Sequence, residues 1–545
     1  MKKTISMLLL LFCTVAVSAQ VVLKRVGSRA YLEVKGRPML ILGGELSNSA
    51  ATSVDDIDEV MPRMKAMGLN TVLVPAQWDL IEPEEGLFDF RTIDETIEKA
   101  RENQLKVIFL WFGAWKNSMS CYTPLWFKKD TKRFPRAMTH QGKPLEIASA
   151  FSEKVFEADN RAFSRLIQHI KDIDAIENTV VMVQVENEIG MLEDARDHSP
   201  LAEKAFRDGE WRKKIAGKKW KYLPGDADMD EVFMAYYYAK YVERLAQSAR
   251  KIYDIPLYVN AAMNSRGRKP GEYPSAGPLA HLADIWHLAA PSIDLLAPDI
   301  YDTGFKGWAR QYDMGVDNPL FIPESRCCEN SGVRALYVFG EHEAVGFSPF
   351  AIDQSPLMST EEVEKGYSLI KELEPLLLRS REKRGVVRGV LFDKEDKETV
   401  IEDGDMVLTC RHYYTLPWDP RATDGSEWPE GGAIILKMSA DEYIVAGCGV
   451  VVVFQKKSEK EQIEQKVLGE DGFVDNGNAA DSSFRTTLQF KGKRVGLGSV
   501  DEVSVGDDGK LNYIRRLNGD QDHQGRHVRI STDEYKILHV KLYEY

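Results

Sequence analysis

The sequence has few cysteines, no excess of basic residues and, beyond its first residues, no long apolar run. It contains six cysteines in 545 residues without C-x-x-C spacing, which argues against a disulfide scaffold or a zinc site. Its 84 acidic side chains outnumber the 71 basic ones, for a net charge of −13. Such a surface disfavours binding to phosphate backbones, so nucleic acid is not an expected partner. No later run reaches the roughly 18 apolar residues that span a bilayer, so no membrane span is expected.

The first residues are the exception and have the pattern of a leader. Two lysines precede an apolar run at residues 7–12, and Val17-Ser18-Ala19 supplies small residues for cleavage. We therefore predict a signal peptide over residues 1–19 and export to the periplasm, with the cell surface or the medium as alternatives. Lipidation of Cys13 is the minor alternative, because the preceding Phe12 is bulkier than that processing usually accepts. Removal of the leader leaves five cysteines, so at least one free thiol is expected.

Short apolar strands alternate with amphipathic helices between residues 36 and 375. The predicted strands are 39–43, 71–74, 107–112, 180–185, 257–259, 295–298, 320–322 and 344–347, and helices are predicted at 55–67, 93–102, 162–173, 229–252 and 360–376. Eight such units predict a closed (β/α)8 barrel of parallel strands. The alternative, an open doubly wound sheet, would need G-x-G-x-x-G after its first strand. Ile41-Leu42-Gly43-Gly44-Glu45 does not supply it.

Two further regions flank the predicted barrel. Residues 21–34 predict a hairpin that covers the lower end of the barrel. After about residue 380 the helical periodicity stops, and strands are predicted at 386–392, 406–409, 433–438, 442–446, 449–454, 486–490 and 537–543. The fold class is thus α/β, a TIM barrel with an N-terminal hairpin over residues 20–378, followed by a smaller all-β sandwich domain over 379–545.

Carboxylates follow two of the predicted barrel strands. The fourth strand leads into Glu186-Asn187-Glu188 and the seventh into Pro323-Glu324. Catalytic groups of such barrels lie at the carboxyl ends of the strands, and a carboxylate placed there is costly to desolvate without a partner. Two carboxylates facing each other across one barrel mouth are what glycoside hydrolysis requires.

Two motifs resemble those of the glycoside hydrolase family 35 β-galactosidases. Gln184-Val185-Glu186-Asn187-Glu188-Ile189-Gly190 resembles Q-V-E-N-E-Y-G, with Ile189 in place of the tyrosine. Gly68-Leu69-Asn70-Thr71, followed by Trp78, Glu82-Pro83, Gly86 and Phe88-Asp89-Phe90, is similar to that family's second-strand pattern. The resemblance covers about residues 36–375. It implies a retaining exo-enzyme that removes terminal β-galactose from oligosaccharides, such as plant-cell-wall fragments.

The resemblance also implies roles for individual residues. Glu188 would be the general acid/base, Glu324 the nucleophile and Asn187 the ligand of the sugar's 2-hydroxyl. Further candidate sugar contacts lie at other strand ends: Glu45, Trp78, Trp115, Asn117, Asn260 and Tyr301. Neither a metal nor an organic cofactor is implied, and the sequence leaves a homodimer open.

The sequence departs from the galactose-binding relatives at two places. Pro75 stands where they carry a tyrosine, and Trp115-Lys116-Asn117-Ser118 stands where they carry C-A-E-W. Two alternatives therefore stay open. One is a retaining β-glycosidase of the same clan with another sugar specificity, either family 42-like or a β-glucosidase. The other is a non-catalytic glycan-binding protein, which the retention of both Glu188 and Glu324 disfavours.

Overall fold

The computed structural model describes residues 21–264, 266–383, 387–416, 418–464 and 491–545. The predicted leader and the predicted strand at 486–490 lie outside these residues. The described chain opens with an antiparallel three-stranded sheet of β1 (Val21–Val26), β2 (Arg29–Val34) and β3 (Arg37–Met39). The first two strands form the predicted hairpin.

A closed barrel of eight parallel strands follows, which confirms the predicted fold class. The next strands are β4 (Ile41–Glu45), β5 (Thr71–Gln77), β6 (Lys106–Phe112), β7 (Arg136–Met138), β8 (Pro144–Ala148), β9 (Val180–Gln184), β10 (Leu257–Ala262), β11 (Leu295–Ile300), β12 (Phe321–Arg326) and β13 (Gly346–Phe350). β7 and β8 form a separate two-stranded sheet, and the other eight close the barrel. Each of the eight predicted strands overlaps one of these, because strands covered on both faces read as continuous apolar runs.

Helices surround the barrel. They are α1 (Val54–Ala66), α2 (Trp78–Ile81), α3 (Arg91–Glu102), α4 (Leu125–Lys129), α5 (Glu153–Asp174), α6 (Pro200–Asp208), α7 (Glu210–Ile215), α8 (Met229–Ile252), α9 (Ala283–Ala289), α10 (Phe305–Tyr312), α11 (Ser331–Glu341) and α12 (Leu357–Lys383). The five predicted helices correspond to α1, α3, α5, α8 and α12. Side chains of Ser53, Ser152 and Asp228 cap three of them by accepting hydrogen bonds from first-turn N–H groups. Among the described helices, none is long and apolar enough to cross a membrane.

The N-terminal sheet covers the lower end of the barrel, as predicted. Its Val21, Leu32 and Val34 belong to the same apolar cluster as side chains of the barrel interior. Arg25 donates hydrogen bonds to the carbonyls of Asp294 and Val316, which precede β11 and β12. The carboxyl ends of the strands, at the opposite end of the barrel, are left open for a site.

The C-terminal region forms two antiparallel sheets. Its elements are β14 (Val387–Phe392), β15 (Glu398–Asp403), β16 (Met406–His412), β17 (Gly431–Lys437), β18 (Glu442–Cys448), β19 (Val450–Lys456), α13 (Lys457–Glu464), β20 (Val495–Val505), β21 (Leu511–Arg516), β22 (Val528–Ile530) and β23 (Lys536–Glu544). One sheet has the order β14-β17-β18-β23-β20-β21 and the other β15-β16-β19-β22. Strands β15, β20, β21 and β22 and helix α13 were absent from the sequence prediction.

The sandwich packs directly against the barrel. Its six-stranded sheet shares an apolar core with the barrel helices through residues such as Ile434 and Ile444. A second core fills the space between the two sheets. Arg334 of α11 makes a two-pronged ion pair with Glu430, at 2.8 and 2.6 Å. All five described cysteines are free thiols.

Candidate active site

Glu188 and Glu324 meet at the carboxyl ends of the barrel strands. Glu324 lies within β12, and Glu188 follows β9 by four residues. One carboxylate oxygen of each, together with one of Asp299 in β11, lies within 4.8 Å of the other two. Glu188 is only 5% exposed and Glu324 only 3%. The structure therefore brings together the two carboxylates that the sequence selected.

Glu324 is held by a neighbouring phenol. The Tyr301 hydroxyl donates a hydrogen bond to its Oε1, while its Oε2 has no hydrogen-bond partner among the described residues. Burial and then the Glu324 charge raise the pKa of the Tyr301 hydroxyl, so it remains a donor at neutral pH. One oxygen of Glu324 is thus fixed and the other is available to attack.

Glu188 has the protonation behaviour of a general acid. Burial, followed by the charge of Glu324, raises the pKa of its carboxyl from 4.5 to about 7. The Asn117 amide donates a hydrogen bond to its Oε2. Its main-chain N–H donates to Asn260 Oδ1 at 2.9 Å. A carboxyl that titrates near neutrality can give up a proton and take one back within a catalytic cycle.

The loop that carries Glu188 has an unusual backbone. Glu186 and Glu188 both lie in the left-handed region, with φ of 61° and 47°. Neighbouring groups hold this conformation: Trp115 N–H donates to Glu186 Oε2 at 2.8 Å, and Asn187 N–H donates to the Trp115 carbonyl at 3.2 Å. The resulting turn directs Asn187 and Glu188 to one side and Glu186 to the other.

Glu186 points away from the site, against a second buried acid. Burial and then the neighbouring Asp159 raise the pKa of Glu186 well above its usual value, and burial raises that of Asp159 too. Asp159 also accepts hydrogen bonds from Trp111 Nε1 at 2.9 Å and from the Tyr241 hydroxyl at 2.7 Å. A proton shared between these two carboxyls removes the repulsion of a buried like-charged pair.

Lys116 is a buried cation within the cluster. Its Nζ donates to Asn187 Oδ1 at 2.9 Å and lies 4.8 Å from the centre of the Phe112 ring. Burial alone would lower the pKa of Lys116, but the carboxylates of Glu324 and Glu188 outweigh it and raise the pKa. Asn187 accepts from the ammonium through its oxygen, and its buried Nδ2 has no partner among the described residues, so this nitrogen can donate to a ligand.

The floor of the site is polar and largely unpaired. Glu45 is fully buried, neither of its oxygens has a hydrogen-bond partner, and the buried Tyr258 hydroxyl also lacks one among the described residues. Burial and then the Glu324 charge raise the pKa of Glu45 well above its usual value. Buried polar atoms without protein partners are expected to bind water or ligand hydroxyls.

Two of the predicted sugar contacts are wrong. Trp78 is fully buried, donates from Nε1 to Glu82 at 2.9 Å and packs its ring 5.2 Å from that of Phe127. Trp115 is equally buried, with ring centres 5.5 Å from Tyr238 and 4.9 Å from Tyr241 of α8. Both rings lie between the barrel wall and its helices, so neither has a face open to a sugar.

The other predicted site residues gather around the carboxylates. Tyr301 donates to Glu324, Glu45 faces Glu324 and Glu188, and Asn187 accepts from Lys116 within the same cluster. Asn260 lies beneath Glu188, whereas Asn117 is exposed at the rim. Sequence reasoning missed Lys116 and Asp299. A lysine after an apolar strand and an aspartate inside the segment Leu295–Ile300 were the available signals, since buried charges without a structural need mark functional sites.

The three carboxylate oxygens of Glu188, Asp299 and Glu324 are spaced as the ligands of a hard cation can be. The surrounding side chains already compensate the charge of these carboxylates. The Lys116 ammonium lies among the carboxylates, and the Tyr301 hydroxyl and the Asn117 and Asn260 amides donate to Glu324, Glu188 and Asp299. The arrangement suits acid–base and nucleophilic chemistry by the side chains themselves.

Two family models match parts of the chain. Residues 49–219 match glycoside hydrolase family 42, described as beta-galactosidase. Residues 363–529 match DUF5597, a domain of unknown function. Among curated proteins, none matches the chain.

Two solved β-galactosidases are among the structures that match the chain. The enzyme from the psychrophilic Marinomonas ef1 is 13% identical with a TM-score of 0.47, and the alignment covers 63% of this chain and 61% of that one. The polyextremophilic enzyme from the Antarctic haloarchaeon Halorubrum lacusprofundi is 18% identical with a TM-score of 0.42, and the corresponding shares are 61% and 58%. The chain thus spans about three fifths of each of these structures. The family-model match over residues 49–219 makes that part of the barrel similar to a glycoside hydrolase, and the carboxylate pair lies at the carboxyl ends of the same barrel.

Proposed function

We propose that the protein is an exported, retaining exo-β-galactosidase that releases terminal β-galactose from oligosaccharides, including plant-cell-wall glycans. The observation that carries the proposal is the separation of at most 4.8 Å between one oxygen of Glu188 and one of Glu324. Retaining glycosidases place their two carboxyl groups about 5 to 5.5 Å apart, whereas inverting enzymes need about 6.5 to 9.5 Å to admit a water. The short separation supports double displacement.

Each step of that mechanism has a residue in place. The unpaired Oε2 of Glu324 attacks the anomeric carbon while Glu188 protonates the leaving oxygen, which gives a glycosyl ester on Glu324. Loss of the negative charge on Glu324 lowers the pKa of Glu188, which then deprotonates the incoming water. The free Nδ2 of Asn187 donates to the 2-hydroxyl of the sugar, where hydrogen bonds strengthen in the oxocarbenium-like transition state.

The family 35 assignment and the cellular setting belong to the same proposal. The Q-V-E-N-E segment at residues 184–188 supports family 35, whereas the matched model is that of family 42. Export rests on residues 1–19, and the periplasm is the proposed location. The proposed partner is an oligosaccharide or polysaccharide substrate, the mechanism calls for no cofactor, and the oligomeric state is open between monomer and homodimer.

A second candidate function is retaining hydrolysis of another β-glycoside. Lys116 favours it, because this residue places a buried ammonium where galactose-binding relatives carry C-A-E-W. Pro75 lies in β5 where those relatives carry a tyrosine. The sugar's hydroxyls therefore meet different side chains here, while the two catalytic carboxylates stay the same.

Hydrolysis of a panel of aryl β-glycosides tests the proposal. The panel contains the galactoside, glucoside, mannoside, xyloside and arabinoside, and the mature protein is compared with Glu188→Gln and Glu324→Gln. We expect preference for the galactoside, no turnover by Glu324→Gln, and a loss of about 10²- to 10⁴-fold in Glu188→Gln, the usual contribution of general acid–base catalysis. Glu329→Gln is the matched control, since Glu329 is exposed and lies outside the site.

The outcomes separate the candidate functions. Preference for another sugar, lost in both variants, would keep the mechanism and replace the substrate. Absence of turnover on every aryl glycoside and of covalent labelling by 2-fluoro-glycosides would overturn the enzyme proposal in favour of glycan binding.

Azide should restore turnover to Glu188→Ala, because an anionic nucleophile needs no general base, and the product should be the β-glycosyl azide.

A further inference from the structure

Asp299 is a third buried carboxyl in the site, and double displacement does not use it. It belongs to β11, where it pairs in register with Glu324 of the neighbouring strand β12, so both side chains emerge on the same face. The residue is only 2% exposed, and its Oδ1 has no hydrogen-bond partner among the described residues. One of its oxygens lies within 4.8 Å of an oxygen of Glu188.

Asn260 ties Asp299 to the loop of the acid/base. Its Nδ2 donates to Asp299 Oδ2 at 2.7 Å, and its Oδ1 accepts the main-chain N–H of Glu188 at 2.9 Å. Both ends of the amide are therefore committed, which fixes its orientation. The position of Asp299 is thereby linked to that of Glu188 through one side chain.

The charges around Asp299 decide its protonation state. The groups that face it are Glu45 of β4, Lys116 after β6, Glu188 after β9, Tyr258 of β10, Tyr301 after β11, Tyr312 of α10 and Glu324 of β12. Only Lys116 among these is cationic, against three carboxyls, and Asp299 itself is the fourth. Buried like charges at such distances do not all ionise, and the set becomes neutral when one carboxylate faces Lys116 and three carboxyls keep their protons.

We propose that Asp299 is a positioning residue that stays a neutral carboxylic acid and donates its proton in a hydrogen bond to the carboxylate of Glu188. The proposal rests on the proposed function, since it assigns Asp299 a role in the same reaction. Burial and then the charges of Glu324 and Glu188 raise the pKa of Asp299 well above its usual value, in agreement with the geometry. The proton remains on Asp299 throughout the cycle.

The hydrogen bond has a specific effect on catalysis. When Glu188 gives its proton to the leaving oxygen, it becomes an anion in a buried site beside the newly formed ester. A donor from Asp299 stabilises this anion and so favours proton departure, and it keeps the pKa of Glu188 from rising further. Asp299 acts through Glu188 and needs no contact with the substrate.

Two substitutions at residue 299 test the proposal. Asp299→Asn keeps a neutral donor of the same shape, so we expect kcat/KM to fall about two- to fivefold with the basic limb of its pH profile unmoved. Asp299→Ala removes the donor, so we expect a fall of about 10- to 100-fold and an upward shift of the basic limb by about one pH unit. Asp302→Asn, at an exposed neighbouring carboxylate, is the control.

Opposite results would overturn the proposal. If Asp299 were ionised, Asp299→Asn would remove a negative charge beside Glu188 and move the basic limb downward by more than about one unit. An unchanged pH profile in a folded Asp299→Ala would also refute it. If Asp299→Ala does not fold, Asp299→Asn decides alone: an unmoved basic limb supports the proposal, and a downward shift refutes it.

A measurement without substrate separates this proposal from the proposed function. Infrared difference spectra at neutral pH compare the wild-type protein with Asp299→Asn, and ¹³C-labelled aspartate distinguishes aspartic from glutamic acid bands. Loss of a protonated aspartic acid band supports a neutral Asp299, even if no aryl glycoside is hydrolysed. Loss of an ionised carboxylate band instead refutes the proposal, whatever the enzyme's substrate.

Discussion

In the proposed mechanism Glu188 has to be protonated when the substrate binds, and this requirement sets the basic limit of the expected activity. Its pKa is raised from 4.5 to about 7, so the competent form is present below about pH 7 and is lost as the pH rises through that value. We therefore expect kcat/KM for an aryl β-glycoside to fall about tenfold per unit above about pH 7. The measurement is a kcat/KM profile from about pH 4 to about pH 9.

A substrate that needs no protonation provides the control for this profile. With a dinitrophenyl leaving group, the bond to the sugar breaks without help from an acid, so the basic limb should weaken or disappear. An equally steep limb with that substrate would mean that a group other than Glu188 sets it.

Tyr301 is expected to orient the nucleophile. Tyr301→Phe removes the hydroxyl that donates to Glu324 and leaves the ring in place. A hydrogen bond to a charged group contributes about 1.5 to 3 kcal/mol, so we expect kcat/KM and the rate of labelling by a 2-fluoro-glycoside to fall about 10- to 150-fold. Tyr236→Phe, at a partly buried tyrosine of α8, is the control. Full labelling speed in Tyr301→Phe would exclude the role.

At the residue scale, the sequence predicts the position along a strand better than the direction of a side chain. Glu188 and Glu324 stand two or three residues after the predicted apolar segments 180–185 and 320–322, and this position was the signal that selected them. Trp115 also follows an apolar strand, but the chain bends at Gly113-Ala114 after that strand, and the Trp115 ring packs against α8. Asp299 was missed because it lies inside a strand where an apolar residue is the ordinary expectation.

At the scale of elements, α11 and β14 approach each other closely through two glycines, Gly340 and Gly389. A Cβ on Gly340 would lie 2.8 Å from Gly389 Cα, and because that atom belongs to the backbone, no side-chain rotation can relieve the clash. We expect Gly340→Ala to lower the free energy of unfolding by about 1 to 3 kcal/mol, the usual cost of overpacking. Urea denaturation followed by circular dichroism measures it.

Gly307→Ala in α10 is the matched control for that substitution. A Cβ there would meet nothing within 4 Å, and the position is exposed within a helix. Alanine is the better helix former by about 1 kcal/mol, so the control should be neutral or stabilising. Equal destabilisation of both variants would mean that the close contact at Gly340 does not govern the result.

The elements of the barrel could be predicted, but several of the sandwich could not. All eight barrel strands are buried on both faces and appear as apolar runs. The missed β15 and β21 are partly exposed, and β15 reads Glu-Thr-Val-Ile-Glu-Asp. Such strands are stabilised by pairing with distant neighbours, which a local pattern does not contain.

For the whole molecule, the shared core predicts a single unfolding transition. Apolar residues of the six-stranded sheet belong to the same cluster as the barrel helices, and three residues separate α12 from β14. We expect one calorimetric transition, and poor solubility for a chain ending at Lys383, because the apolar faces of α11 and α12 would be exposed. Two separate transitions, or a soluble and active truncated barrel, would contradict this expectation.

The placement of the six-stranded sheet limits what the C-terminal region can do. One of its faces is covered by the barrel helices and the other by the four-stranded sheet. Of the described strands, a polysaccharide can therefore reach the four-stranded sheet and the strand edges. The edge strand β21 carries Arg515 and Arg516 in ion pairs that discourage pairing with another chain.

The same placement gives the sheet a mechanical role in the reaction. α11 directly follows β12, the strand that carries Glu324, and it lies between that part of the barrel and the sheet. The six-stranded sheet therefore supports Glu324, the proposed nucleophile, through α11, whereas Glu188 depends on contacts from β10 and from the loop after β6. In the proposed mechanism, a substitution that loosens the contact between α11 and the six-stranded sheet should accordingly slow the attack of Glu324 more than the later deprotonation of water by Glu188.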